Sequence, residues 1–408
     1  MMQLTTLGNG LRVAARAMDG VHRVGGRLYA DVGSRYEPAA INGVAHLFEH
    51  MVFKGAGGRS ARAIAEVIED IGGDINAATG REGTIFHARL LGEHLPLGVD
   101  VIADLVRLPH FEAAELEREK QVVLQELGEA RDTPSDIVFD RLQEAAFPDQ
   151  ALGRSILGDE ASIAAIGLDD LQSWRMERYR PGSLILAAAG KLDHLAVVEQ
   201  AERRFGDLSP GSLAPGDAAR FGGADLLDAA KVEQAHLTLG LAGPSIRNPD
   251  YYAARLFSDI VGGGMSSRLF QQLREDRGLA YSVYSSLQPY EDVGLFSVYV
   301  ATQRRDAAAA MALVEDVLAD AAVSADRREL ERARAMAKTG LLMALESCQG
   351  QADYIARQLS IHGRLVDPAE VVAELDAVNL DQVRAAGATL IGGRRARATV
   401  GATLPQAA

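Results

Sequence analysis

Gly26–Phe53 reads GRLYADVGSRYEPAAINGVAHLFEHMVF, and Ala235–Gly262 reads AHLTLGLAGPSIRNPDYYAARLFSDIVG. The second stretch follows the first by 209 residues throughout. Each opens on the apolar alternation of a strand, crosses a loop of equal length and enters an amphipathic helix. Repetition at that distance predicts two copies of one fold rather than a single large core.

The correspondence extends outward. Ala77–Leu91 (AATGREGTIFHARLL) and Tyr281–Val300 (YSVYSSLQPYEDVGLFSVYV) each read as strand, turn and strand. Helical runs follow at Pro96–Arg107 and Arg305–Ala321, then ELERE (Glu115–Glu119) and ELERA (Glu329–Ala333), each opening a long helix. LILAAAG (Leu184–Gly190) is matched by ATVGATL (Ala398–Leu404). The pattern predicts an α+β chain of two homologous domains, each a mostly antiparallel sheet with helices packed on one face. The expected boundaries are 1–208 and 226–408, joined by the Gly-, Pro-, Ser- and Ala-rich segment 209–225.

Within the first copy, His46-Leu47-Phe48-Glu49-His50 has the spacing H-x-x-E-H. Residues four apart stack on one helix face, so His46 and His50 can hold one metal ion between them. Glu49 overhangs the same position without having to bind. Neutral imidazole is a preferred zinc ligand, and a free carboxylate beside a metal-activated water is a general base. This order is the inverzincin signature. Chance places it in a chain of this histidine content roughly one time in a hundred. The second copy carries Arg255, Ser258 and Asp259 at these three positions. A helix of this fold therefore does not need histidines for packing, and their presence in one copy points to a task.

A catalytic zinc site needs a third protein ligand. Candidates lie on the helix Ala113–Arg131, where Glu119 and Glu126 are two turns apart on one face. The second copy has Ala333 and Gly340 there. Spacing alone does not separate these two from Glu117 and Glu129, which would also suit a solvated acidic stripe. Of the other seven histidines, His87, His94, His110 and His236 read as ordinary, and His22, His194 and His362 lie in loops or at helix edges without partner residues.

Composition narrows the function classes. The chain has 408 residues, 48% hydrophobic, and a net charge of −14, which disfavours nucleic acid as a partner. The single cysteine, Cys348, excludes an internal disulfide and reads as a small core residue. The start has no apolar signal region, and no stretch approaches the ~20 apolar residues of a membrane helix. A reduced, cytoplasmic location is expected. Gly262–Ser267 (GGGMSS) lacks the lysine of a phosphate loop, and a helix terminus with a tight turn is one of its two readings, a substrate-handling loop the other.

Taken with the stretches LGNGLRV, GSRYEP, NGVAHLFEHMVFKG, GGDINAATGREGT, LEREKQVVLQE, GGGMSSRLFQQLRE and RGLAYSV, the chain resembles the pitrilysin and insulysin family of zinc metallopeptidases. Within it, the chain looks most like the branch containing the catalytic subunit of mitochondrial processing peptidase and its bacterial relatives. The resemblance implies a zinc endopeptidase with one Zn²⁺ per chain. His46, His50 and Glu126 match the ligands, Glu49 the general base, and Glu119 a supporting glutamate behind the site. Asn76 and Ala77 match positions that hold substrate backbone at an edge strand. Arg274 and Tyr281 match an Arg–Tyr pair of the second domain that reaches substrate. It also implies extended peptide substrates and a homodimer or a heterodimer with a related chain. The alternative is a non-catalytic or partner-dependent subunit of the same fold, a class in which the metal residues decay.

Overall fold

The computed structural model describes residues 1–213 and 216–404, so Ala214 and Pro215 of the expected linker lie outside the described residues. The chain divides into two compact units, and neither is continuous in sequence. The first comprises Met1–Leu127, Ser155–Asp217 and Leu342–Val366; the second comprises Gly128–Arg154, Ala218–Leu341 and Asp367–Ala408.

The first unit is built on a six-stranded sheet. Its strands are β1 (Met2–Thr6), β2 (Arg12–Ala17), β3 (Arg23–Ala30), β4 (Asp74–Thr79), β5 (Thr84–Leu91) and β6 (Leu184–Gly190). Their order is β1-β2-β6-β3-β5-β4. All neighbours are antiparallel except β2 and β6. The second unit has β7 (Asp225–Asp228), β8 (Ala235–Gly243), β9 (Ser282–Pro289), β10 (Gly294–Thr302) and β11 (Arg395–Val400). Its order is β9-β10-β8-β11-β7, again antiparallel but for one terminal pair, β11 and β7. The two sheets repeat one topology, with β1 as an extra edge strand in the first. The predicted α+β class and the two homologous domains are observed.

One face of each sheet carries the main helical core. In the first unit this includes Leu28, Phe86, Leu186, Leu47, Phe48 and Ile102. In the second it includes Leu237, Leu239, Phe296, Val298 and Phe257. The opposite faces are covered too, each by one helix. Cys348–His362 seals the first sheet, packing Ile355, Ala356 and Leu359 on Ala14, Ile185 and Ala187. Pro134–Ala146 seals the second, packing Val138 and Leu142 on Leu295, Ala396 and Ala398.

These two helices explain why the units are discontinuous. The sequence predicts 134–146 in the first domain and 348–362 in the second, with helices on one face only. Alternation along β6 requires more. Leu184, Leu186 and Ala188 point to one core while Ile185 and Ala187 point to the other, so the whole strand is buried. Polar ties fix the 348–362 helix on its sheet. Arg27 makes a bidentate pair with Asp353 (2.5 and 3.0 Å), Arg12 donates to the Leu359 carbonyl at 2.9 Å, and Arg16 donates to Gln351 at 2.9 Å. Among the described residues, no helix is long and apolar enough to cross a membrane.

Candidate metal centre

The histidine helix spans Val44–Val52. Val44, Ala45, Leu47, Phe48, Met51 and Val52 are buried on its inner face, the i, i+3, i+4, i+7 pattern of an amphipathic helix. Phe48 stacks on Tyr179 at 4.7 Å and meets Phe111 edge-on at 5.8 Å. Burying a side chain of this size contributes about 1.5–3 kcal/mol, which holds the inner face against the core. His46, Glu49 and His50 occupy the remaining face and are half-buried.

The start of this helix is unusual. Its N-cap, Gly43, has φ +95° and no side chain to cap the first turn. Glu37 supplies the missing acceptor from the preceding loop. Its Oε2 accepts from the Gly43 N–H at 2.8 Å and from the Asn42 amide at 2.6 Å, and its Oε1 accepts from the Ala45 N–H at 2.8 Å. A carboxylate there satisfies orphan donors and complements the positive end of the helix dipole. Gly43 has no substitute: a Cβ would meet Ile163 Cδ1 at 2.6 Å and the Leu157 carbonyl oxygen at 2.8 Å.

The helix Ala113–Asp132 brings its carboxylates to this face. Glu126 Oε2 lies 3.7 Å from His46 Nε2 and 3.7 Å from His50 Nε2. One donor atom from each of the three residues falls within 4.8 Å of the others. A tetrahedral zinc site with bonds of about 2.0–2.2 Å has ligand–ligand edges of about 3.3–3.6 Å. Two imidazole nitrogens and a carboxylate oxygen at these separations therefore fit such an ion. Burial, and secondarily the proximity of His50, pulls the His46 pKa down to about 4. Its imidazole is thus neutral at physiological pH, the form that binds metal.

Glu119 takes a different place on the same helix. It is 5% exposed; its Oε2 bonds His50 Nδ1 at 3.0 Å and its Oε1 pairs with Lys54 Nζ at 2.7 Å. A carboxylate on Nδ1 fixes the ring orientation and leaves Nε2 for a ligand role. Glu49 stays outside the three-residue group. Thr79 Oγ1 donates to its Oε2 at 2.5 Å. Burial raises the Glu49 carboxyl pKa above the ordinary value, partly offset by the Thr79 bond and by His50.

Four sequence-predicted residues are not among these groups. Asn76 and Ala77 sit on β4, the edge strand of the first sheet, where Asn76 Oδ1 accepts from the Ala77 N–H at 2.8 Å. Arg274 and Tyr281 belong to the second unit. Arg274 lies in the π-helical segment Phe270–Glu275, with its guanidinium 4.8 Å from the Phe270 ring centre. Tyr281 is 53% exposed just before β9, and Gln303 donates to its hydroxyl at 3.3 Å. In the second unit, the helix Tyr251–Gly262 is the repeat of the histidine helix, and Arg255 pairs with Asp259 at 3.3 Å in the places of the two histidines.

Glu37, Lys54 and Thr79 were not singled out from the sequence. A signal for Glu37 existed. A helix N-capped by glycine has no cap side chain of its own, which leaves its first N–H groups open to an acceptor from elsewhere in the chain.

The chain is similar to known proteins over nearly its whole length. The family model for insulinase (peptidase family M16) matches residues 12–160, and the model described as peptidase M16 inactive domain matches residues 165–337. An uncharacterized zinc protease of Rickettsia bellii is 36% identical over 90% of this chain and 90% of its own length. One from Bacillus subtilis is 35% identical over 94% of each. A crystal structure from Pseudomonas fluorescens, titled as a peptidase M16 inactive domain, superposes with a TM-score of 0.89 at 23% identity, covering 100% of this chain and 99% of the other. That last likeness concerns the fold.

Proposed function

We propose that this chain, which belongs to the insulinase family (peptidase family M16), is a zinc metalloendopeptidase acting on extended, presequence-like peptide segments. The convergence of His46 Nε2, His50 Nε2 and a Glu126 oxygen within 4.8 Å carries the reading, with the unligated Glu49 beside it. His46, His50 and Glu126 would hold one Zn²⁺ per chain. When bound, the ion supplies Lewis acidity, polarising the scissile carbonyl and bringing the pKa of water toward about 7.

The chain's own groups do the rest. Glu49 accepts the proton that water gives up as its oxygen adds to the amide carbon. It then passes that proton to the leaving nitrogen as the C–N bond breaks. Glu119 accepts from His50 Nδ1 and keeps that ring in one orientation. An extended peptide would add as a further strand on β4, where Asn76 and Ala77 offer main-chain pairing with little demand on sequence. Arg274 and Tyr281 of the second domain are assigned to substrate by resemblance, as donors to the peptide and its developing oxyanion. A homodimer, or a heterodimer with a related chain, and a cytoplasmic location complete the proposal.

The test is metal analysis together with digestion of a peptide library by the purified chain alone. One zinc per chain and discrete cleavage products are expected. Zinc without cleavage would favour a partner-dependent or non-catalytic subunit, and failure to retain zinc would end the hydrolase reading. Arg274→Ala and Tyr281→Phe are each expected to lower kcat/KM by about 10- to 1000-fold with zinc content unchanged. Loss of metal in either variant would count against placing them on substrate.

A further inference from the structure

We infer that Thr79 is a positioning residue for Glu49: its hydroxyl holds one carboxylate oxygen and leaves the other as the oxygen presented to the reacting proton. The inference rests on the reading of Glu49 as general base.

A glutamate side chain has three rotatable torsions, and half-buried beside a reactive centre it needs an external restraint to keep one pose. Thr79 supplies it. The Thr79 hydroxyl has one proton to donate. It faces two acceptors, Glu49 Oε2 at 2.5 Å and the Ala45 carbonyl at 3.5 Å, and the shorter contact takes the proton.

The restraint is itself anchored. Thr79 ends β4 and pairs across the hairpin with Thr84. Thr84 is fully buried, and its hydroxyl donates to the Val32 carbonyl at 2.8 Å. A β-branched side chain on such a strand has little χ1 freedom.

The placement has a chemical consequence. The edge strand that would align the peptide backbone also grips the base. One rigid element thus sets the position of the scissile carbonyl and of the proton acceptor together. A misplacement of about 1 Å between such groups costs on the order of 100-fold in rate.

The experiment compares the full chain, zinc-loaded, as wild type, Thr79→Val and Thr79→Ser, by kinetics, metal content and crystal structure. Valine keeps the shape and removes the hydroxyl. Expected for T79V is a kcat lower by about 10- to 100-fold, KM within about twofold, one zinc per chain, and a Glu49 carboxylate turned from its wild-type position. T79S is expected to restore kcat to within about threefold of wild type. Unchanged kcat with Glu49 in place in T79V, a T79S variant as slow as T79V, or loss of zinc in T79V would each overturn the inference. If wild type cleaves nothing, the peptidase reading falls by itself. The Glu49 position in the T79V crystal then still decides whether the hydroxyl holds the carboxylate.

Discussion

Replacing Glu49 with glutamine is expected to leave zinc bound and to lower kcat by about 100- to 10,000-fold, the range general acid–base catalysis supplies. In free energy this is about 3–5.5 kcal/mol of barrier. The argument turns on what the substitution preserves. Glutamine has the same length, and its carbonyl oxygen still accepts the Thr79 hydroxyl that now meets Glu49 Oε2 at 2.5 Å. The three converging donors, His46, His50 and Glu126, are untouched. What disappears is a group able to take a proton and return it. Metal content and turnover should be measured on one preparation. A variant within tenfold of wild-type turnover would remove Glu49 from the role of base.

The second large effect is expected far from any bond-making atom. Glu37→Ala should lower stability by about 3–5 kcal/mol, because it strands buried donors that a carboxylate now satisfies. Glu37 is 4% exposed and Asn42 is 3% exposed, and water has little access to either. The Gly43 and Ala45 N–H groups and the Asn42 amide all bond to this one side chain at 2.6–2.8 Å. For a chain of 408 residues the loss corresponds to a fall of about 3–6 °C in Tm. These groups begin the helix that carries His46, Glu49 and His50, so zinc affinity should fall as well, by about 10- to 100-fold. Calorimetry and chelator competition check both. A Tm within 2 °C of wild type would show that other groups fix the start of this helix.

Much of this architecture is legible in the residues themselves. The shift of 209 places two strand–loop–helix copies in register, and β6 and β8 begin and end where the apolar patterns at Leu184–Gly190 and Ala235–Gly243 predict. Strand β11 ends at Val400, before the expected Leu404, where Gly401 turns the chain at φ +91°. Helical spacing puts His46 and His50 on one face without reference to any relative.

The covering of the second sheet faces was available but not taken. LILAAAG has no polar residue to offer solvent on either side, and a strand with two apolar faces must be covered twice. Spacing could not separate Glu119 from Glu126, since two turns put them on the same stripe. Burial does: Glu119 is shut behind His50 and Lys54, while the Glu126 side chain is 39% open and faces both imidazoles. Glu37 and Thr79 act through loop and strand ends that meet the histidine helix in three dimensions. No linear pattern encodes those meetings.

The two covering helices, 134–146 and 348–362, begin 214 residues apart, the same offset that relates ELERE to ELERA. They are copies of one element, and each half of the chain lends its copy to the sheet of the other. That is the connectivity of a domain-swapped dimer whose two protomers have been fused head to tail. The lending is mutual, so each sheet is covered by a helix from the other half of the chain. The second half carries the Arg255–Asp259 pair where the first carries His46 and His50.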